Sequence, residues 1–209
     1  MTTFDKRLAG LSPEKRRLLQ MRLAERKRAS TVATIERTGA STAALTFAQR
    51  RIWFMEQLAP GSPVYNNASV IEGRGLVRID ALQRALDFVV QRHEALRTRF
   101  VPESDEAVQV VMPVDEASLR VVSLETEDLR DEAPDAREAR LRDALIRAAE
   151  EPFDLAAGPP MRVRLVLQTE DQWTLAITFH HLVYDAWSSQ RFLAEFVAGY
   201  IAAAAWRTP

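Results

Sequence analysis

The chain has no cysteine among its 209 residues. Disulfides, zinc–thiolate sites and a cysteine nucleophile are therefore excluded. No apolar run approaches the ~20 residues that a membrane span needs. The opening MTTFDKRLAG lacks the apolar core of a secretory signal. Charge of one sign is also lacking. Lys and Arg number 28 against 29 for Asp and Glu, a formal net charge of −1, so no global field favours nucleic acid. No internal repeat occurs, and no G-x-S-x-G elbow. These absences suit a cytoplasmic protein with no membrane and no nucleic-acid partner. A chain that is 47% hydrophobic and 27% charged has what one large soluble domain or two small ones need to build a core.

Residues 11–28, LSPEKRRLLQMRLAERKR, predict a basic helix within a segment spanning 1–30. Ser12 suits its N-cap and Pro13 its first turn. Such a helix is read as a solvated linker, with docking to an acidic partner as the sharper alternative. Residues 31–43 carry small polar side chains with weak periodicity and are expected to be a linker. The compact region is expected over 44–209.

Within it, LTFAQRRIWFMEQLA predicts a helix with Phe47, Trp53, Phe54 and Leu58 as core. ASVIEG reads as a strand. IDALQRALDFVVQRHEALRTRF places Leu82, Leu86, Val89 and Val90 at helical spacing, with Asp80 as N-cap. AVQVVMPV and LRVVSL read as short strands. Asp131 to Glu150 predicts a mixed-charge helix with Leu141, Leu145 and Ala148 on its apolar stripe. MRVRLVLQT and QWTLAITFH alternate around TEDQ, which predicts a hairpin. A final helix follows Ser188. Strands mixed with helices, one hairpin included, argue for an α/β or α+β sandwich, a mixed β-sheet packed with helices, rather than a Rossmann sheet.

The chemistry gathers in TFHHLVYDAWSS, residues 178–189, which spends two of the three histidines side by side. Alternation along the strand sets Trp173, Leu175, Ile177 and Phe179 on one side and Thr174, Ala176, Thr178 and His180 on the other. Neighbouring histidines then diverge. At most one of them can readily enter a given cleft, which leaves the other free to hold the turn. Asp185 follows in the loop before a helix, whose N-terminus would favour negative charge on a substrate oxygen. Metal binding ranks low, because the pair diverges and no third ligand has the spacing. A serine triad ranks low too. General-base or substrate-positioning work by histidine is the remaining chemical option.

At these residues the chain resembles a known family. HHLVYDA looks like the His-His-x-x-x-Asp-Gly signature of the condensation domains of nonribosomal peptide synthetases and related acyltransferases. Two further segments match in order. LTFAQRRIWFMEQL carries the Ala-Gln-x-Arg-x-Trp core at Ala48, Gln49, Arg51 and Trp53. RHEALRTRF, residues 92–100, resembles the second motif. PFDLAAGPPMRVRL is similar to the family's connection into the hairpin. The wax-ester type of acyltransferase shares the histidine motif, but the other segments weigh against it. Epimerisation and heterocyclisation relatives also fit less well at Trp187 and at the histidines.

The resemblance implies a chloramphenicol acetyltransferase-like lobe: the N-terminal lobe of a condensation domain whose C-terminal lobe is absent. It implies amide-bond formation between donor and acceptor thioesters. Peptidyl carrier proteins would bring both on phosphopantetheine arms, with no cofactor bound covalently and no metal. His181 is then the catalytic residue, and His180 structural. Asp185 is expected to be an anion paired with Arg97, or else with Arg162. Trp187 and Ser188 match the peptide-forming variant. Ala186 departs from it, because the family usually has glycine there; a negative φ would let alanine serve. Such a chain is expected to be inactive alone, or else to be a non-catalytic docking module for a carrier or another synthetase chain.

Overall fold

The structure is a computed structural model that describes residues 39–104, 106–114 and 122–205. The basic helix expected within 1–30 lies outside the described residues. The compact unit spans Ala40–Pro209.

The elements run β1 (Thr42–Ala44), α1 (Phe47–Leu58), β2 (Asn66–Arg74), α2 (Ile79–Arg92), β3 (Thr98–Glu103), β4 (Glu106–Val111), β5 (Leu124–Asp128), α3 (Pro134–Glu150), β6 (Met161–Leu167), β7 (Gln172–His180) and α4 (Ala186–Ala204). Short 3₁₀ turns precede β2 and β3. One sheet has the order β1-β4-β3 and the other β2-β7-β6-β5. Every pairing is antiparallel except β5 with β6, so the larger sheet is mixed. This is the expected α/β class.

The larger sheet is covered on both faces. Leu175, Ile177 and Phe179 of β7 pack with Leu82, Leu86 and Val89 of α2 and with Phe192 and Phe196 of α4. The opposite face carries Val166, which packs with Leu129 and with Ala144 of α3. There Thr178 Oγ donates to the Ala148 carbonyl at 2.7 Å. The expected alternation along β7 holds, and both of its sides are buried. Fully burying side chains such as Leu86 or Phe179 contributes about 1.5–3 kcal/mol each. α2 and α4 approach closely at Ala85 and Gly199, where an added Cβ would lie 3.4 Å from Ala85. A smaller cluster of Leu45, Phe100, Ala107, Leu155 and Leu182 lies behind the histidine turn, with Trp53 and Phe153 against it.

Several expectations need correction. α1 forms, because Thr46 and Gln49 make a reciprocal capping box. Its expected core is mostly bare: Phe47 is 82% exposed, and Phe54 and Leu58 are exposed as well. Periodicity identified an apolar face, but nothing within the described residues covers it. Asp80 does not cap α2. Arg78 takes the N-cap position, and Asp80 sits in the first turn, held by Arg78 and Arg84 with its pKa lowered to about 2. The strand expected at LRVVSL begins later, at Leu124, where Gln83 Oε1 accepts the Leu124 N–H at 2.8 Å; Leu119 to Val121 lie outside the described residues. The last residues of the expected linker form β1, an edge strand laddered to β4. The stripe on α3 gains Ala144, which is buried alongside Ala148. No helix among the described residues is long and apolar enough to cross a membrane.

Candidate active site at the end of strand β7

The ladder continues past the point where β7 ends. His180 N–H donates to Pro160 O and His181 N–H to Tyr65 O, both at 2.9 Å. The backbone is thus still held from both sides while the two imidazoles part, as strand geometry requires. His180 is 2% exposed, whereas His181 is exposed.

The two rings carry their protons on opposite nitrogens. His181 Nδ1 lies 2.7 Å from the Tyr184 carbonyl, which can only accept, so Nδ1 holds the proton. In the neutral ring Nε2 is then the unprotonated nitrogen. In His180 the Nδ1 accepts the Leu182 N–H at 3.2 Å, so its proton sits on Nε2 and goes to Glu56 Oε1, also at 3.2 Å. Burial, with the neighbouring His181 charge adding to it, lowers the His180 pKa to about 4. The ring is therefore neutral at pH 7. Burial also raises the pKa of the Glu56 carboxyl. Phe153 meets the His180 ring edge-on at 5.9 Å.

His181 lines an open cleft of about 480 Å³ with Ala48, Arg51, Phe54, Met55 and Tyr65. The Tyr65 ring runs parallel to the His181 imidazole within 10°, with centroids 6.5 Å apart. Arg51, from the first motif, brings a cation into the cleft lining. Among the described residues, no group of three or more acidic or histidine side chains is placed to hold a metal.

Asp185 differs from expectation. It has no arginine partner among the described residues. Instead it is the N-cap of α4, accepting from Ser188 N–H at 2.9 Å and from the Ser188 hydroxyl at 2.8 Å. Those bonds, the backbone one first, lower its pKa. An exposed carboxylate satisfied this way needs no buried cation. The two candidate arginines are engaged elsewhere. Arg97 donates to the Met112 carbonyl and lies 3.6 Å from Glu94. Arg162 donates to the Pro152 and Glu151 carbonyls and stacks on Phe153 at 3.9 Å, and desolvation lowers its pKa. The helix N-terminus expected to favour substrate charge is already occupied by Asp185. Ala186 opens α4, and Ser104 is the one non-glycine residue with positive φ among those described, so alanine is unstrained there. Trp187 is 83% exposed. The cluster therefore joins His180, His181, Asp185 and Ser188 in one turn, while Arg97 and Arg162 stand apart from it. Glu56 and Tyr65 were missed from sequence. The signal for Glu56 was its place in the first motif, seven residues after Gln49 and so on the same helix face.

Comparison with known proteins places the chain in a family. The family model of the condensation domain matches residues 40–208. Chondramide synthase cmdD of Chondromyces crocatus is 40% identical over 153 residues, covering 73% of this chain and 4% of that protein. Phosphinothricin tripeptide synthetase PhsC of Streptomyces viridochromogenes is 37% identical over 199 residues, covering 90% of this chain and 17% of that one. Among solved structures, the starter condensation domain of rhizomide synthetase RzmA superposes with a TM-score of 0.71 at 26% identity, over 81% of this chain and 40% of that one. The X-domain of teicoplanin biosynthesis, solved in complex with OxyB, gives 0.65 at 26% identity over 84% and 35%. The chain belongs to the condensation-domain family. It spans well under half the length of each of these proteins.

Proposed function

We propose that the chain is the first lobe of a condensation domain and that His181 serves amide-bond formation between two carrier-bound thioesters. The observation that carries this reading is the 2.7 Å contact of His181 Nδ1 with the Tyr184 carbonyl, beside an open cleft that His181 lines. Nδ1–H is committed to the Tyr184 carbonyl, so the neutral ring keeps its lone pair on Nε2, on a residue that lines the cleft. That nitrogen accepts an N–H from the acceptor amine, either holding it or taking its proton. The amine attacks the donor thioester carbonyl. The C–S bond of the tetrahedral adduct then breaks to leave an amide, and the proton given up by the attacking nitrogen goes to the donor's pantetheine sulfur, which leaves as a thiol. His180, Asp185 and Ser188 shape the turn, Ala186 starts the helix, and Trp187 faces outward. Arg97 and Arg162 brace the segments beside it.

The facing wall of the cleft comes, in this reading, from the rest of a condensation domain. The bare apolar side chains Phe47, Phe54 and Leu58 fit such a cover. Donor and acceptor peptidyl carrier proteins deliver the substrates on phosphopantetheine arms. The chain alone would then hold half a site and turn over little. The test joins it to a matching second lobe and supplies both loaded carriers. Product that vanishes on His181→Ala supports the reading; product unchanged by that substitution sinks it. A second reading, a non-catalytic docking module, is favoured by one observation: the similar X-domain was solved in complex with a partner protein. Carrier binding without product in the same assay would support it.

A further inference from the structure

We propose that Glu56 and Gln49 are positioning residues for His181, acting as a two-point clamp from α1 on the turn that carries it. The proposal rests on the reading above in one respect, that His181 is the residue whose placement matters for turnover.

Glu56 and Gln49 are seven residues apart, two helical turns, so they share one face of α1. Each reaches the turn at a different point. Gln49 Nε2 donates to the Leu182 carbonyl at 3.1 Å and to Gln109 Oε1 of β4 at 3.0 Å. Its Oε1 accepts the Thr46 N–H at 2.9 Å. The amide is thus committed on both sides and cannot flip without losing the helix cap. Glu56 Oε1 accepts the Nε2–H of His180. Because His180 Nδ1 accepts the Leu182 N–H, the ring must hold its proton on Nε2, and that proton needs an acceptor. A glutamate oxygen accepts it whether the carboxyl is ionised or neutral. Leu182 is consequently gripped at both its N–H, by His180, and its C=O, by Gln49. His181 lies between these anchors.

The cost of this arrangement points the same way. The Glu56 side chain is only 12% exposed, on a helix whose apolar residues Phe47, Phe54 and Leu58 face outward. A carboxylate is expensive to bury, and its hydrogen bond among the described residues goes to His180. A helix that needed only to be soluble would turn Glu56 out and Phe54 in. The orientation makes sense if the α1 face against the turn is there to hold it.

The test uses the ¹⁵N-labelled chain at pH 7 and long-range ¹H–¹⁵N correlation of the imidazoles. The wild type should show His180 protonated on Nε2 and His181 on Nδ1. Glu56→Gln presents the same acceptor oxygen and should keep both tautomers. Glu56→Asp keeps the charge but withdraws it by one methylene, and should leave His181 in a mixture. In the two-lobe assembly, Glu56→Asp should lower kcat about 10- to 100-fold, the range expected of a misplacement near 1 Å, with KM for the acceptor carrier nearly unchanged. Glu56→Gln should restore most of the rate. A wild-type spectrum with His180 protonated on Nδ1 overturns the proposal whatever the variants do. So does Glu56→Asp that keeps the His181 tautomer and kcat, or that changes KM alone. If the wild-type assembly forms no amide, the condensation reading fails, and the spectra still decide the clamp.

Discussion

Acidification should destabilise the lobe through the buried His180. An imidazole in the unfolded chain titrates near 6.5, whereas burial holds His180 at about 4. Between those values the unfolded chain binds a proton that the folded chain refuses. Stability is therefore fully present above pH 6.5 and is lost as pH falls towards 4. Each pH unit in that window is worth about 1.4 kcal/mol, which brings the whole effect to about 3 kcal/mol. Glu56 acts with the opposite sign. Its raised pKa favours the protonated folded form, so acid relieves part of its burial cost. Asp80 and Asp128, held at about 2, lose their stabilising charge only below the ordinary carboxylate range, outside this window. Urea unfolding at pH 7, 6 and 5, followed by circular dichroism, isolates the histidine when wild type is compared with His180→Gln. The wild type should lose about 2 kcal/mol more than the variant between pH 7 and 5. Parallel pH dependence of the two proteins would refute a neutral, buried His180, and with it the tautomer assignment of the turn.

Two further outcomes are expected. Asp185→Ala removes the acceptor for Ser188 N–H and should cost about 1 kcal/mol in urea unfolding, with Asp185→Ser recovering most of it; equal losses in both variants would mean that capping is not its role. Gly73→Ala would place a Cβ 2.0 Å from the Trp173 ring across the β2–β7 pair. It should destabilise by about 1–3 kcal/mol and shift the indole emission, and a neutral effect would show that the indole is free to move aside.

The hairpin of β6 and β7 and the buried stripe of α2 were legible because they are local. Period-2 alternation and helical spacing are properties of neighbouring residues, and tertiary packing agreed with them. α1 was legible as a helix, but not in its burial. The pattern of Phe47, Phe54 and Leu58 says which face is apolar and is silent on what covers it. Asp80 missed the cap by two positions, because a good capping residue was available while the chain turned earlier, at Arg78.

The sequence alone determined the family and the class of fold, and it singled out the histidine pair, since ordered motifs and periodicity survive without coordinates. Only the tertiary structure decided how that pair is set. The Glu56–His180 bond joins residues 124 positions apart, and no short-range signal encodes such a contact. The division of labour between the rings follows from which nitrogen meets a carbonyl, a carboxylate or an N–H. Asp185 became a helix cap for the same kind of reason: its nearest satisfied partner lies three residues ahead, in Ser188, and not on either arginine.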